Sequence, residues 1–260
     1  MKTPLNPIQI MSIYRSRTGQ RVLLPSRMAV CTPDMAVAIA GIGDEVAALG
    51  GELILSDLFR SYDMQLQAHL DYTSGKKSAF SPAPGGSMHE AGRAFDLDLR
   101  ALKMPLDRFW GIARKHGVSP IIKSPDPSAS EAWHFDCRGS HERVHAYYAS
   151  GKGTNMAPYQ AMAASAILSA GLRHDRFPGR EREATLQSSL IRLGHDIGNI
   201  DGQIGMRTRT ALAQAGLQDA ALDGALAAAE DLVQASHPDE FRESQAAIAI
   251  SAPPPGHVIA

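Results

Sequence analysis

The chain has 260 residues, a formal net charge of −1, 44% hydrophobic residues and 20% charged residues. That is enough material for one medium domain and one small one, each with its own core. The near-zero charge removes any global pull toward nucleic acid or anionic lipid, and no stretch approaches the roughly 20 apolar residues that cross a bilayer.

Pro4, Pro7, Arg15 and Arg17 stand where a secretory leader would need an unbroken apolar run, so Sec export is not expected. Residues Asp34 to Leu49 form the first predicted helix, alanine-rich, with Thr32 or Asp34 as its cap and Gly50-Gly51 as its stop. Glu52 to Phe59 predicts a short apolar strand and Tyr62 to Leu70 a second helix. The Gly, Pro, Ser and Lys content of Gly75 to Gly86 predicts a surface loop that runs straight into His89.

Ala94 to Leu99 alternates as a strand does, with Phe95, Leu97 and Leu99 on one face and Asp96 and Asp98 on the other. Pro105 to His116 predicts a helix that begins on proline, buries Phe109, Ile112 and Ala113, and ends at Gly117. Val118 to Lys123 and Trp133 to Cys137 are predicted strands, separated by a turn-rich stretch from Ser124 to Ser130.

The composition shifts after about Tyr148. Residues 151–180 are expected to be a connector around one helical piece, Gln160 to Ala170, and residues 181–235 a small helical domain. Residues 236–260, with Pro253-Pro254-Pro255, are expected to be a disordered tail. The fold class expected is therefore α+β: a domain over 1–150 with a small antiparallel sheet and flanking helices, followed by a small all-α domain.

Two short segments carry the chemistry, Ser87-Met88-His89-Glu90-Ala91-Gly92-Arg93-Ala94-Phe95-Asp96 and Glu131-Ala132-Trp133-His134. His89, Asp96 and His134 offer the three protein ligands of a catalytic zinc site, and Glu131 is a carboxylate free to handle protons. Seven positions separate His89 from Asp96, which suits a turn entering a strand, with Gly92 permitting the bend and Ala94 leaving room beside the metal. Trp133 is expected to point into the opposite layer and anchor its strand. Imidazole and carboxylate donors suit Zn²⁺ better than calcium or magnesium. The two cysteines, Cys31 and Cys137, make no metal knuckle and are expected to be unpaired thiols, a bridge between them being the alternative.

Residues 52–137 resemble the zinc D-Ala-D-Ala carboxypeptidases and dipeptidases and the L-alanyl-D-glutamate endopeptidases of bacterial cell wall. The resemblance rests on Ser87, His89, Gly92, Ala94 and Asp96, on Glu131, Trp133 and His134, and on an upstream Arg60-Ser61 followed by Gln65. It implies Zn²⁺ held by His89, Asp96 and His134, with Glu131 as the acid–base residue. It also implies that Arg60 stabilises the oxyanion or binds a substrate carboxylate, with Ser87 and Gln65 nearby on the substrate. Asp98 would either orient a ligand histidine or be a solvated strand carboxylate.

A second resemblance covers Leu186-Gln187, Leu190, Leu193-Gly194, Asp201-Gly202, Gly205, Thr208 and Ala211, which look like the three-helix peptidoglycan-binding domain attached to many wall hydrolases. Together the two imply a metallopeptidase hydrolysing peptidoglycan stem peptides and acting on the cell wall, expected to be a phage-type endolysin released by a non-Sec route, with a bacterial wall-remodelling enzyme as the near rival. Peptidoglycan is then the expected partner, with no nucleic acid, no membrane span and a monomeric chain. The alternative is a non-enzymatic peptidoglycan-binding protein with a structural zinc site.

Overall fold

The computed structural model describes residues 2–242 and 248–249. Four short strands that the sequence pattern did not mark open the chain: β1 (Asn6–Gln9), β2 (Met11–Arg15), β3 (Arg21–Leu23) and β4 (Val30–Cys31). Helix α1 (Pro33–Ala48) follows. Pro33 sits in its first turn, and Met35, Ala36, Ile39, Ile42 and Val46 fall on one buried stripe at helical spacing. Gly50, in the left-handed region at φ 78°, ends it.

The expected strand over 52–59 is shorter, β5 (Leu55–Asp57). Helix α2 (Tyr62–Thr73) is capped by Ser61, whose hydroxyl accepts from the Met64 N–H at 3.3 Å. Then come β6 (Ala94–Leu97), α3 (Leu106–Lys115), β7 (Val118–Pro120) and β8 (His134–Cys137). Helix α3 buries Phe109, Ile112 and Ala113 as its pattern predicts, together with Trp110.

One sheet has the order β3-β2-β5-β6-β8-β7, and every pairing in it is antiparallel except β2 with β5. A smaller sheet, β4-β1-β9, includes β9 (Ile248–Ala249), which runs parallel to β1. The register of β6 against β8 decides where the chemistry goes. Ala94 faces Asp136, Phe95 faces Phe135 and Asp96 faces His134. Alternation sends Phe95 and Phe135 into the main core, where they stack at 5.8 Å and Phe109 meets Phe135 edge-on at 4.9 Å. Such aromatic pairs add about 0.5–1.5 kcal/mol each beyond area burial. The same alternation puts Ala94, Asp96, His134 and Asp136 together on the opposite face.

Five helices complete the described chain: α4 (Glu142–Ala149), α5 (Pro158–Ser169), α6 (Glu181–Arg192), α7 (Met206–Gln214) and α8 (Leu222–Ser236). A second core joins Val144, Tyr147 and Tyr148 of α4 to Leu168 of α5, Leu186 and Leu190 of α6, Leu212 of α7 and Ala229 of α8. Residues 151–180, expected as a connector, thus hold a helix whose every residue from Ala161 to Ser169 is buried. Its other side packs Met162, Ala163, Ala166 and Ile167 against Met88, Ala91 and Ala94. Helix α5 therefore touches both the helical core and the segment that carries His89.

The first part of the expected tail is ordered. Pro238–Glu240 form a turn of 3₁₀ helix and Glu240 is buried. The rest of that tail lies outside the described residues from 243 on, except for β9. Cys31 and Cys137 are both buried free thiols.

Candidate metal centre

His89 lies on a short 3₁₀ turn, Met88–Ala91, just before β6. Ser87 caps it by accepting from the His89 N–H at 3.3 Å, and the Glu90 carboxylate returns the favour to the Ser87 N–H at 3.3 Å and the Gly85 N–H at 2.9 Å. This is a capping box closed over one turn. Burial raises the Glu90 carboxyl to about 7 against the pull of those backbone donors. Gly92 then turns the chain into β6 at φ 64°. A Cβ there would stand 2.9 Å from the Cys31 Cα, so glycine is required by both conformation and space.

The three expected ligands converge. His89 Nε2, His134 Nδ1 and Asp96 Oδ1 form a triangle with sides of 3.3, 3.0 and 3.3 Å, and all three residues are buried. Zinc bonds of about 2.0–2.1 Å in tetrahedral array put ligand atoms about 3.3–3.4 Å apart. The donor set fits that ion in size and in kind.

The remaining ring nitrogens are fixed from behind. His89 Nδ1 lies 2.7 Å from the Leu58 carbonyl, which can only accept, so Nδ1 carries a proton and Nε2 keeps its lone pair. His134 Nε2 likewise donates to Asp136 Oδ1 at 2.9 Å and leaves Nδ1 aimed at the triangle. Tyr159 of α5 donates to the same Asp136 oxygen at 3.0 Å. Burial pulls the His134 pKa down, but Asp136 and Asp96 outweigh it and push it up to about 10. A metal ion at Nδ1 would compete with a proton there. Burial also works to raise Asp96, yet His89 and His134 hold it well below the usual carboxylate range.

Arg60 is buried, not a surface residue. Its Nε donates to Asp57 at 2.5 Å, Nη1 to Gln65 at 3.3 Å and Nη2 to Asp96 Oδ2 at 3.2 Å. The guanidinium thus holds the free oxygen of the ligand carboxylate. Gln65 is buried, passing its amide N–H groups to Ser81 Oγ at 3.1 Å and the Pro82 carbonyl at 2.6 Å, so it orders the loop above the site and is not open to a substrate.

Glu131 sits at φ 67°, a conformation that costs a non-glycine residue on the order of 1–3 kcal/mol. Its Oε1 is buried without a hydrogen-bond partner among the described residues. Burial raises its carboxyl, while His134, Lys77 and Arg60 pull the other way. These groups line a cleft of about 550 Å³ whose walls also include Phe80, Pro82, Ser87, Ile121, Trp133 and Tyr159.

Asp98, Ala94 and Trp133 each bear on an expectation, and that for Trp133 needs correction. Asp98 lies past the end of β6, half-buried, where its side chain accepts from the Arg100 N–H at 3.0 Å and approaches Arg21 at 3.7 Å; it orients no histidine. Asp136 does that work. Trp133 precedes β8 and is a half-buried wall of the cleft, not an anchor in the opposite layer. Ala94, on the same face as Asp96 and His134, packs under α5. The missed residues differ in legibility: Asp136 follows His134 at strand spacing, whereas Tyr159 comes from a helix that nothing in the local sequence ties to the site.

No protein-family model matches the chain, and no curated protein does. Among solved structures, the LdcB LD-carboxypeptidase, described with the molecular basis of peptidoglycan recognition, matches at 19% identity and a TM-score of 0.39, over 51% of this chain and 66% of that one. The vancomycin-resistance D,D-pentapeptidase VanY of a VanB-type cassette, in complex with Zn(II), matches at 15% identity and a TM-score of 0.33, over 60% of this chain and 94% of that one.

Proposed function

We propose that this protein is a zinc-dependent peptidase that hydrolyses peptidoglycan stem peptides, either removing a terminal D-alanine or cutting an internal L-Ala–D-Glu bond. The observation that carries the enzymatic reading is the ligand triangle lined by the same cleft as a buried, unpartnered Glu131 oxygen. A purely structural zinc site uses four protein ligands and has no need of a free carboxylate beside it. The choice of stem peptides rests on the resemblance of the Ser87–Asp96, Glu131–His134 and Arg60–Gln65 motifs.

Zinc held there would supply Lewis-acid polarisation of a substrate carbonyl and would acidify water. The protein's own groups do the rest. Asp136 and the Leu58 carbonyl keep both imidazoles in the ligating tautomer. Arg60 orients Asp96 and takes up part of its charge. Glu131, with its carboxyl raised by burial, is poised to accept a proton at Oε1 and deliver it to the departing amine. Phe80, Trp133 and Tyr159 give the cleft its aromatic walls.

Helices α6 to α8 are read as a wall-binding unit, on the motif running from Leu186 to Ala211. Gln187 explains part of that motif structurally: its carbonyl accepts from the Asp201 and Gly202 N–H groups and its amide donates to Asp201 and the Gln203 carbonyl. Wall binding would raise the enzyme's effective concentration on an insoluble polymer.

The test pairs Glu131→Gln with metal analysis and mass spectrometry of purified muropeptides. The variant should keep its zinc and lose hydrolysis by about 10²–10⁴-fold, the usual worth of a positioned acid–base group. Full activity in the zinc-loaded variant would reject the mechanism, and wild-type enzyme that leaves every muropeptide intact would reject the substrate.

A further inference from the structure

Helix α5 reaches the metal centre with its first turn. Pro158 opens the helix, and Ala157, Tyr159 and Gln160 line the same cleft as His89 and His134. The Tyr159 hydroxyl donates to Asp136 Oδ1 at 3.0 Å and lies 3.4 Å from His134 Nε2, which donates to the same oxygen at 2.9 Å. One carboxylate oxygen has lone pairs for both donors. The other, Asp136 Oδ2, is buried without a hydrogen-bond partner among the described residues, and Arg138 Nε stands off at 3.9 Å.

Among the described residues, the Asp136 carboxylate is thus hydrogen-bonded by two side chains, and one of them is the histidine that it orients. Strand pairing opposite Ala94 and Ser119 fixes its backbone, but the last torsion of an aspartate is broad and leaves the carboxylate plane free to turn. Without the phenol, carboxylate and imidazole would be free to turn together, and His134 Nδ1 would no longer be held on the ligand triangle. The phenol itself is fixed by its helix. Met162, Ala163, Ala166 and Ile167 pack on Met88, Ala91 and Ala94. Ser165 Oγ pairs with His141 Nδ1 at 2.8 Å and with Ser188 Oγ of α6 at 2.6 Å, and Arg192 Nη1 donates to Ser169 Oγ at 3.1 Å.

We propose that Tyr159 is a positioning residue of the metal centre: its hydroxyl anchors the Asp136 carboxylate that orients His134, so that zinc affinity depends on a residue of helix α5. The proposal rests on the zinc reading above and goes beyond it, because it adds a requirement from outside the sheet and the turn that supply the ligands. The place of Tyr159 on the cleft wall gives it a competing role, contact with substrate, and the two roles differ in what they do to the ion. A substrate contact changes turnover and leaves zinc binding as it was. An anchor for Asp136 changes zinc binding before any substrate is present.

The experiment measures the zinc affinity of the full chain by competition with a chromogenic chelator, with no substrate present. Tyr159→Phe, which keeps the ring and removes the donor, should weaken zinc binding by about 10-fold, the lower end of what loss of an outer partner costs. With cobalt(II) in place of zinc, its visible absorption bands should shift from those of wild type, since a turned imidazole alters the ligand geometry. In an Asp136→Ala background, Tyr159→Phe should weaken binding by less than about 2-fold, because the hydroxyl has lost the group through which it acts. Should Asp136→Ala fail to fold, the affinity and cobalt bands of the single variant decide. Ser165→Ala, which breaks hydrogen bonds further along the same helix, should leave zinc affinity and cobalt bands unchanged even where it lowers the unfolding midpoint. Equal zinc affinity and equal cobalt bands in wild type and Tyr159→Phe would overturn the role of Tyr159, as would a loss of undiminished size in the Asp136→Ala background. Wild-type protein that takes up no zinc would overturn the metal reading itself, and the role of Tyr159 with it.

Discussion

Replacing Glu240 with alanine should destabilise the whole protein, although this residue follows the last long helix and lies in a stretch whose composition suggests a loose tail. Its carboxylate accepts from the Ser140 N–H at 2.5 Å, the Ser140 hydroxyl at 3.0 Å and Arg192 Nη2 at 2.7 Å, with Arg93 Nη2 at 3.7 Å. Glu240, Arg192 and Arg93 are all buried. Arg93 would keep Asp34, but Arg192 would lose the carboxylate that it pairs with. Removing one partner of a buried pair costs about 3–5 kcal/mol, because the other charge stays behind without compensation. At about 2–4 °C per kcal/mol for a chain of this size, the midpoint should fall by about 6–20 °C.

Thermal unfolding followed by circular dichroism, at fixed zinc, reads this directly, with Glu240→Gln as the variant that keeps the shape and drops the charge. A fall of less than about 3 °C for Glu240→Ala would refute the reasoning. The pH dependence has a definite sign. Burial would raise the Glu240 carboxyl, but Arg93 and Arg192 hold it below the ordinary range. Its stabilisation is therefore present above the unfolded value of about 4.3 and is lost as the pH falls through the depressed folded value. The gap between wild type and Glu240→Gln should close on acidification.

Asp136→Asn should weaken zinc binding by about 10- to 100-fold, as loss of a carboxylate behind a ligand histidine does, measured by competition with a chromogenic chelator; unchanged affinity would remove Asp136 from the site. Gly92→Ala should cost more than about 1 kcal/mol in chemical denaturation, since its φ of 64° and the 2.9 Å approach to the Cys31 Cα both oppose a side chain. A neutral outcome there would mean the turn into β6 is not held as described.

The part of the site written in local pattern was legible in the sequence. Two-residue alternation in β6 and β8 is enough to set Asp96 and His134 on one face with Phe95 and Phe135 on the other. The same alternation points to Asp136, two residues beyond His134. Between the two roles open for Asp98, the one behind a ligand histidine falls away because the strand ends at Leu97 and the chain turns, so alternation no longer applies. Strands β1 to β4 escaped notice because they are two to five residues long, too short for alternation to show; β1 and β4 also pair across about 20 residues of chain, although β2 and β3 form a local hairpin. Tyr159 and Glu240 were out of reach because each acts across long sequence separations, through Asp136 and through Arg93 and Arg192, and composition carries no trace of such contacts.

Equilibrium dialysis against zinc, with the metal counted by mass spectrometry, tests the central claim most directly. Wild-type protein should retain one zinc per chain, and a triple variant His89→Ala, Asp96→Ala, His134→Ala should retain none while staying folded by circular dichroism. Equal zinc in the two proteins would place the ion elsewhere and contradict the account.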